Sequence, residues 1–264
     1  MEITGWEQMV EWWDENIGDD GDLWHRTLID PPVFQLVGDV AGQRVLDLAC
    51  GNGYMCRRFA RQGAKVVGVD ANAPIIERAR AREAREPLGI TYHTADAAHL
   101  EMLADGTYDI AVCNMALMDI ADAAGAIQEV ARVLRPQGRF IASLCHPCFD
   151  KVNTSGWVIE RIYPNTTIWR KMSRYRELAA DDLPWLKVGD QAVITRAYHR
   201  PLSWYFRVLR AAGFVVAALE EPEPTEEFLA NSESGPWIAE IPMHCVIEAW
   251  KLAASRPIPA EKAF

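Results

Sequence analysis

Short apolar runs alternate with longer amphipathic stretches through the first half of the chain. The apolar runs cover residues 44–49, 65–69, 90–94, 108–114 and 138–144, and helical spacing of apolar and charged residues covers 54–62, 75–85 and 123–134. Strands that alternate with helices are typical of a parallel sheet. The pattern therefore predicts an α/β fold with a doubly wound sheet.

The alternation stops after residue 144 and returns near residue 201. A helix is predicted over 201–212, and strands over 214–219 and 244–252, which brings the sheet to seven strands, mostly parallel. Residues 145–200 are predicted to be a folded lid inserted after the fifth strand, with a strand at 193–195. We divide the chain into an N-terminal helical cover (1–40), a Rossmann-like core (41–144), the lid (145–200) and the C-terminal part of the sheet (201–264).

The turn after the first predicted strand has the most informative composition. It reads Asp47-Leu48-Ala49-Cys50-Gly51-Asn52-Gly53. Glycine allows the backbone to adopt positive φ and to approach a ligand closely, and a helix that begins there directs its N–H groups at the ligand. The turn predicts a binding site for a small-molecule cofactor.

A dinucleotide site is the alternative interpretation of this turn. It calls for three glycines in the order G-x-G-x-x-G, and Cys56 occupies the third place here. Asp70, at the tip of the second strand, can accept hydrogen bonds from both ribose hydroxyls in either kind of site. The residues after the third and fourth predicted strands are needed to distinguish a dinucleotide site from another cofactor site.

These residues are Asp96-Ala97 after the third strand and Asn114-Met115 after the fourth. Together with the glycine turn, this pattern resembles the class I S-adenosylmethionine (SAM)-dependent methyltransferases, in particular a bacterial small-molecule branch of type 11 or 25. The resemblance implies SAM as cofactor and S-adenosylhomocysteine as product. It also implies cofactor contacts from Asp47, Ala49, Gly51, Gly53, Asp70, Ala71, Asp96, Ala97, Asn114 and Met115, with Arg26 of the cover on the methionine carboxylate.

Two histidines are candidate catalytic bases. His146 follows the fifth strand, and His199 ends the lid, so both can lie beyond the carboxyl ends of the strands, where open α/β sheets bind ligands. A histidine titrates near neutrality and can take a proton from a hydroxyl or ammonium acceptor. The alternative is that each is only hydrogen-bonded to the backbone.

Aromatic residues are concentrated outside the predicted core. The stretch 44–143 contains no tryptophan, whereas the cover and the lid contain several. They either pack the cover and lid onto the sheet or form an aromatic pocket for an acceptor, because ligand sites are mostly apolar with few polar groups. The candidate acceptor-binding residues are Trp13, Met118, Trp169 and Tyr198.

Composition narrows the choice of partners. The net charge of −10 disfavours a nucleic-acid partner, and no segment reaches the ~20 apolar residues that span a bilayer. The six cysteines mostly occupy apolar strand contexts, which favours a cytoplasmic location. Cys145 and Cys148 have C-x-x-C spacing, but no second cluster completes a zinc site. A homodimer is the predicted assembly.

The sequence thus predicts a methyltransferase acting on an oxygen or nitrogen of a small, aromatic or apolar acceptor. Three alternatives stay open at this point. They are methylation of a macromolecule, a SAM-binding protein with a regulatory or other non-transfer role, and a nicotinamide-dependent dehydrogenase, since fold does not fix function.

Overall fold

The computed structural model describes residues 5–162, 164–188, 191–233 and 235–253. The outer ends of the predicted 1–40 and 201–264 segments lie outside the described residues. The strands are β1 Arg44–Leu48, β2 Lys65–Asp70, β3 Thr91–Thr94, β4 Tyr108–Asn114, β5 Leu134–Cys145, β6 Ser155–Ile162, β7 Asn165–Met172, β8 Ala179–Val188, β9 Gln191–His199, β10 Phe214–Glu220 and β11 His244–Lys251.

The helices lie between these strands and before the first of them. They are α1 Val10–Ile17, α2 Asp30–Val37, α3 Tyr54–Arg61, α4 Ala73–Arg85, α5 Ala123–Val133, α6 Leu202–Ala211, α7 Glu226–Asn231 and α8 Gly235–Ile238. Side-chain caps begin two of the core helices: Asn72 accepts a hydrogen bond from Ile75 N, and Asp122 accepts one from Gly125 N. These caps fix where the chain turns from strand to helix.

Within the described residues, the central sheet has seven strands in the order β10-β11-β5-β4-β1-β2-β3. Neighbours from β5 to β3 are parallel, and β11 is antiparallel to both β5 and β10. The predicted fold class is confirmed. The strand order reverses between β1 and β4, and ligands of open α/β sheets bind at such a switch point.

Alternate residues of each central strand enter two hydrophobic layers. On β1, Val45 packs in the layer that includes α2, α3 and α4, whereas Leu46 packs in the layer that includes α5 and α6. Both side chains are fully buried, as expected for a parallel strand covered on both faces. The two layers hold the carboxyl ends of β1, β2 and β4 at one edge of the sheet.

The segment predicted as a lid forms two antiparallel hairpins outside the central sheet. One pairs β6 with β7, and the other pairs β8 with β9. The strand predicted at 193–195 is the middle of β9. In the described part of the chain, no helix is both long and apolar enough to cross a membrane.

Candidate active site

A cavity lies beyond the carboxyl ends of β1, β2 and β4, at the switch point of the sheet. We call it the cofactor cavity; it encloses about 1380 Å³, counting its open mouth. Most of the residues predicted to contact a cofactor line its wall. They are Asp47, Ala49, Gly51, Asp70, Ala71, Asp96, Ala97, Asn114 and Met115.

The turn between β1 and α3 is built from left-handed backbone. Ala49, Gly51 and Gly53 have φ of 56°, 55° and 76°. A Cβ on Gly53 would stand 2.4 Å from the hydroxyl oxygen of Tyr92, so no side chain fits there. Gly53 is outside the cavity wall, and it allows the turn to pack closely on β3.

Asp70 ties the tip of β2 to this turn. Its carboxylate accepts hydrogen bonds from Gly51 N at 2.9 Å and from Asn72 N at 2.8 Å. Burial raises the pKa of Asp70, and the two backbone N–H groups oppose that rise. The carboxylate therefore orders the loop and also faces the cavity.

Asp47, at the end of β1, is the most deeply buried carboxylate of the cavity. Its Oδ2 accepts a hydrogen bond from Cys56 Sγ at 3.0 Å. Burial raises its pKa to about 7, and the nearby Asp70 carboxylate adds to the effect. A cation bound in this cavity would stabilise its ionised form.

A polar network that the sequence did not reveal connects the cover to the end of β4. Asn114 Nδ2 donates to Asp30 Oδ1 at 3.1 Å, and the Tyr54 hydroxyl donates to the same oxygen at 3.0 Å. Arg58 Nη1 donates to Asp30 Oδ2 at 2.6 Å. The signal available in the sequence was Asp30 itself, a carboxylate within an apolar stretch that needs partners when buried.

Arg26 is placed away from the predicted contact. Its guanidinium is half exposed, pairs with Glu227 of α7, and lines neither cavity described here. The geometry does not bring it to the cofactor cavity, so its proposed contact with a carboxylate stays an untested prediction.

A second cavity adjoins the first and encloses about 1390 Å³, counting its mouth. The two share four lining residues, which are Trp6, Trp13, Met115 and Asp119. Most of the remaining wall comes from the cover, from the segment after β5, and from β8 and β9, and single residues of α6 and β11 complete it. Three of the four predicted acceptor-binding residues line it: Trp13, Met118 and Tyr198. The fourth, Trp169, lies on β7 with 54% of its surface exposed and outside this wall.

Indole rings from the cover and the lid meet in the wall of the second cavity. Trp6 lies edge-on to Trp13, with ring centroids 5.3 Å apart. Trp185 of β8 contacts Trp6 and Trp12, at 5.7 Å and 5.9 Å between centroids. The cover and the β8–β9 hairpin therefore share one aromatic wall.

His199 lines the second cavity as a neutral imidazole. Its Nε2 lies 2.8 Å from the carbonyl oxygen of Tyr175, which only accepts, so Nε2 carries the hydrogen. Burial lowers the pKa of His199, which keeps the ring neutral near pH 7. Nδ1 is thus left with a lone pair.

His146 lies outside both cavity walls. Its Nε2 pairs with Glu221 Oε1 at 3.0 Å, and its Nδ1 accepts the N–H of Cys148 at 3.2 Å. Because both ring nitrogens are engaged, neither is directed at an acceptor. The catalytic role predicted for His146 is untested, and this geometry does not favour it.

Asp119 was missed by the sequence analysis. It lines both cavities, and in the described part of the chain no hydrogen bond reaches its carboxylate. Burial raises its pKa to about 8, against the attraction of Arg200. The available signal was an acid five residues after Asn114, beyond the switch-point strand.

The cysteines of the predicted C-x-x-C pair are free thiols. Burial raises the pKa of the Cys145 thiol well above its usual range. Among the described residues, no three histidine, cysteine or acidic side chains are grouped to hold a metal ion.

The fold is that of the class I SAM-dependent methyltransferases. The residues present fit this cofactor, because the glycine turn admits close approach, Asp70 stands at the tip of β2, and Asp47 is a buried counter-charge. The Methyltransf_11 family, a methyltransferase domain, matches residues 46–142. The matched domain implies SAM as the cofactor.

Individual relatives agree with this class. A ubiquinone biosynthesis O-methyltransferase from Sodalis glossinidius is 30% identical over 135 residues, which are 51% of this chain and 54% of the relative. The match thus spans about half of that relative's length. A SAM-dependent methyltransferase structure from Mesorhizobium loti aligns with a TM-score of 0.73 and 28% identity, covering 89% of this chain and all of that chain. A second ubiquinone biosynthesis O-methyltransferase, from Xanthomonas oryzae, is 27% identical over 67% of this chain and 73% of its own length.

Proposed function

We propose that the protein transfers a methyl group from SAM to an oxygen or nitrogen of a small-molecule acceptor held in the second cavity. The observation that carries this proposal is the contact between the two cavities, which share Asp119, Met115 and two tryptophans. A protein that only binds SAM does not need a second cavity beside the cofactor. The O-methyltransferase relatives also support it.

The chain's own residues would act mainly by positioning. SAM, when bound, supplies an electrophilic methyl group on its sulfonium. Asp47 and Asp70 would hold the cofactor, and the tryptophan wall would hold the acceptor in line and exclude water. Positioning of this kind can supply roughly 7–11 kcal/mol of the rate enhancement.

Proton removal has one well-placed candidate. The Nδ1 lone pair of His199 can take a proton from an acceptor hydroxyl or ammonium, because Nε2–H is already bound to Tyr175 O. The proton then leaves to solvent when the acceptor is exchanged.

The proposal also covers partners and location. The protein would act on a small molecule and not on nucleic acid, it would form a homodimer, and it would be cytoplasmic.

The proposal is tested by parallel calorimetric titrations with SAM, S-adenosylhomocysteine and NAD. We expect SAM or its product to bind near micromolar Kd, about 8 kcal/mol, and NAD not to bind. Binding of NAD alone would contradict the proposal. After SAM binding is established, release of S-adenosylhomocysteine in the presence of small hydroxyl and amine acceptors tests transfer itself.

A further inference from the structure

The wall of the second cavity carries more negative than positive charge. Its acidic residues are Asp22, Asp119, Asp150 and Asp181, and its basic side chains, apart from histidine, are Lys151 and Arg200. The two lining histidines are both held toward the neutral state, since burial lowers the pKa of His199 and lowers that of His244 to about 4.

Protein groups already satisfy the basic side chains of the wall. Lys151 Nζ donates to Arg174 O at 2.7 Å and lies 3.5 Å from Glu177. Arg200 donates to the carbonyl oxygens of Leu117, Ile120 and Ala121. An anionic acceptor would therefore find no uncommitted lysine or arginine among the described lining residues.

Two of the four lining acids are also committed. Asp22 pairs with His25 at 2.8 Å, and Asp150 pairs with Arg170 at 3.1 Å. The other two are not satisfied in this way. Asp181 Oδ2 is buried without a hydrogen-bond partner, and no hydrogen bond reaches the Asp119 carboxylate in the described chain.

Asp181 Oδ2, which is buried without a donor, is costly unless a ligand supplies a donor or positive charge. Burial raises the pKa of Asp119 to about 8, and a bound ammonium group would stabilise the ionised form of this carboxyl. The indole rings of Trp6, Trp12, Trp13 and Trp185 line the same cavity. Stacked or enclosing indoles attract organic cations by the cation–π interaction. The carboxylates and the indoles therefore both favour a positively charged ligand.

We propose that the second cavity recognises acceptors that carry an ammonium group, with Asp119 and Asp181 as counter-charges and the tryptophans as the apolar wall. This inference rests on the proposed function and narrows its acceptor to a small organic amine. The matched methyltransferase domain ends at residue 142, whereas Asp181 and most of the wall lie beyond it.

The test uses the full chain saturated with S-adenosylhomocysteine, so that binding is measured without turnover. Three probes share one ring and differ in charge: phenethylamine, 2-phenylethanol and 3-phenylpropionate. We expect the amine to bind at least ~10-fold more tightly than the alcohol, and the carboxylate to bind most weakly. Asp119→Asn and Asp181→Asn should each weaken amine binding ~10-fold or more and leave alcohol binding unchanged.

Asp182→Asn is the matched control. Asp182 neighbours Asp181 on β8, but it pairs with Arg196 and lies outside the cavity wall. It removes the same charge from the protein, and we expect unchanged amine binding. Melting temperatures of all three variants verify that they fold.

The inference is overturned if the alcohol or carboxylate binds as tightly as the amine, if the amine does not bind the S-adenosylhomocysteine complex, or if both cavity variants bind the amine like the wild type. Failure of S-adenosylhomocysteine to bind is a separate result. It contradicts the proposed function, and the acceptor assignment is withdrawn with it.

Discussion

The indole nitrogen of Trp13 lies 3.1 Å from the position that a Cβ on Gly51 would occupy. Trp13 belongs to α1 of the cover, and Gly51 belongs to the turn after β1. The cover therefore packs directly on the turn that lines the cofactor cavity.

Gly53→Ala should destabilise the protein by about 2–4 kcal/mol. Left-handed backbone costs a non-glycine residue roughly 1–2 kcal/mol, and the clash of a Cβ with the buried Tyr92 ring adds an overpacking cost. Gly42→Ala is the control, because Gly42 has a similar φ of +74° and open space around it. Urea unfolding measures both variants, and equal losses would contradict close packing at Gly53.

Asp70→Ala should weaken SAM binding by about 10- to 100-fold. The change removes a charged hydrogen-bond acceptor at the cavity and releases Gly51 N and Asn72 N. Asp39→Ala serves as control, because Asp39 also accepts a backbone hydrogen bond, from Ala41 N, but outside the cavity. Calorimetry compares them; unchanged SAM affinity in Asp70→Ala would be evidence against the proposed cofactor contact.

Ionisation of the buried Asp47 carboxyl should lower the free energy of unfolding as pH rises. Its folded pKa of about 7 is above the ordinary 3.8, so the folded state binds more protons between these values. The free energy of unfolding therefore falls through this window as pH increases. Asp47→Asn should flatten the fall, measured by urea unfolding at pH 5, 6, 7 and 8. An identical slope in the variant would refute the assignment.

His244 should have the opposite effect. Burial, together with repulsion from His25 and His146, lowers its pKa from 6.5 to about 4. The unfolded state then binds more protons between pH 4 and 6.5, so stability is lost as pH falls through that range, by ~3 kcal/mol at most. His244→Phe keeps a ring against Trp24 and should reduce the acid loss. A steeper acid loss in the variant would contradict this.

Substitution of the two candidate histidines should affect different quantities, kcat for His199 and stability for His146. His199→Gln should lower kcat about 100-fold with unchanged SAM affinity, because it removes the basic Nδ1 nitrogen of a residue that lines the second cavity. His146→Gln should mainly lower stability, by about 1–3 kcal/mol, through its contacts with Glu221 and Cys148. The rate of S-adenosylhomocysteine release and urea unfolding distinguish them. A large kcat loss in His146→Gln at unchanged stability would reverse the assignment.

Local signals made the core predictable. The runs that became β1 to β5 are short and apolar, and the turns between them carry their own stop signals, such as Gly63 before β2 and the Asn72 cap of α4. Each of these signals acts over a few residues, so it can be read without knowing the fold. The resemblance to class I methyltransferases implied nine of the residues that line the cofactor cavity.

The acceptor side was less predictable, because its contacts join residues far apart in the chain. The pairing of β6 with β7 and the exposure of Trp169 depend on where the hairpins fold, and the sequence indicated only part of β9. The position of His146 after the fifth strand predicted an accessible ring. In the structure this ring pairs with Glu221, which lies 75 residues later in the chain. Asp119 is a candidate site residue only because it lines both cavities, and their positions depend on the folded chain.

The contact between Trp6 and Trp185 joins two segments that lie 179 residues apart and that both flank the cofactor-binding core. The core itself is one continuous stretch of chain, and the aromatic wall comes from either side of it. Trp6 also lines the cofactor cavity, whereas none of the described lid residues does. Exchange of the lid alone, with the wall of the SAM site left intact, is therefore a direct route to variants with new acceptor preferences.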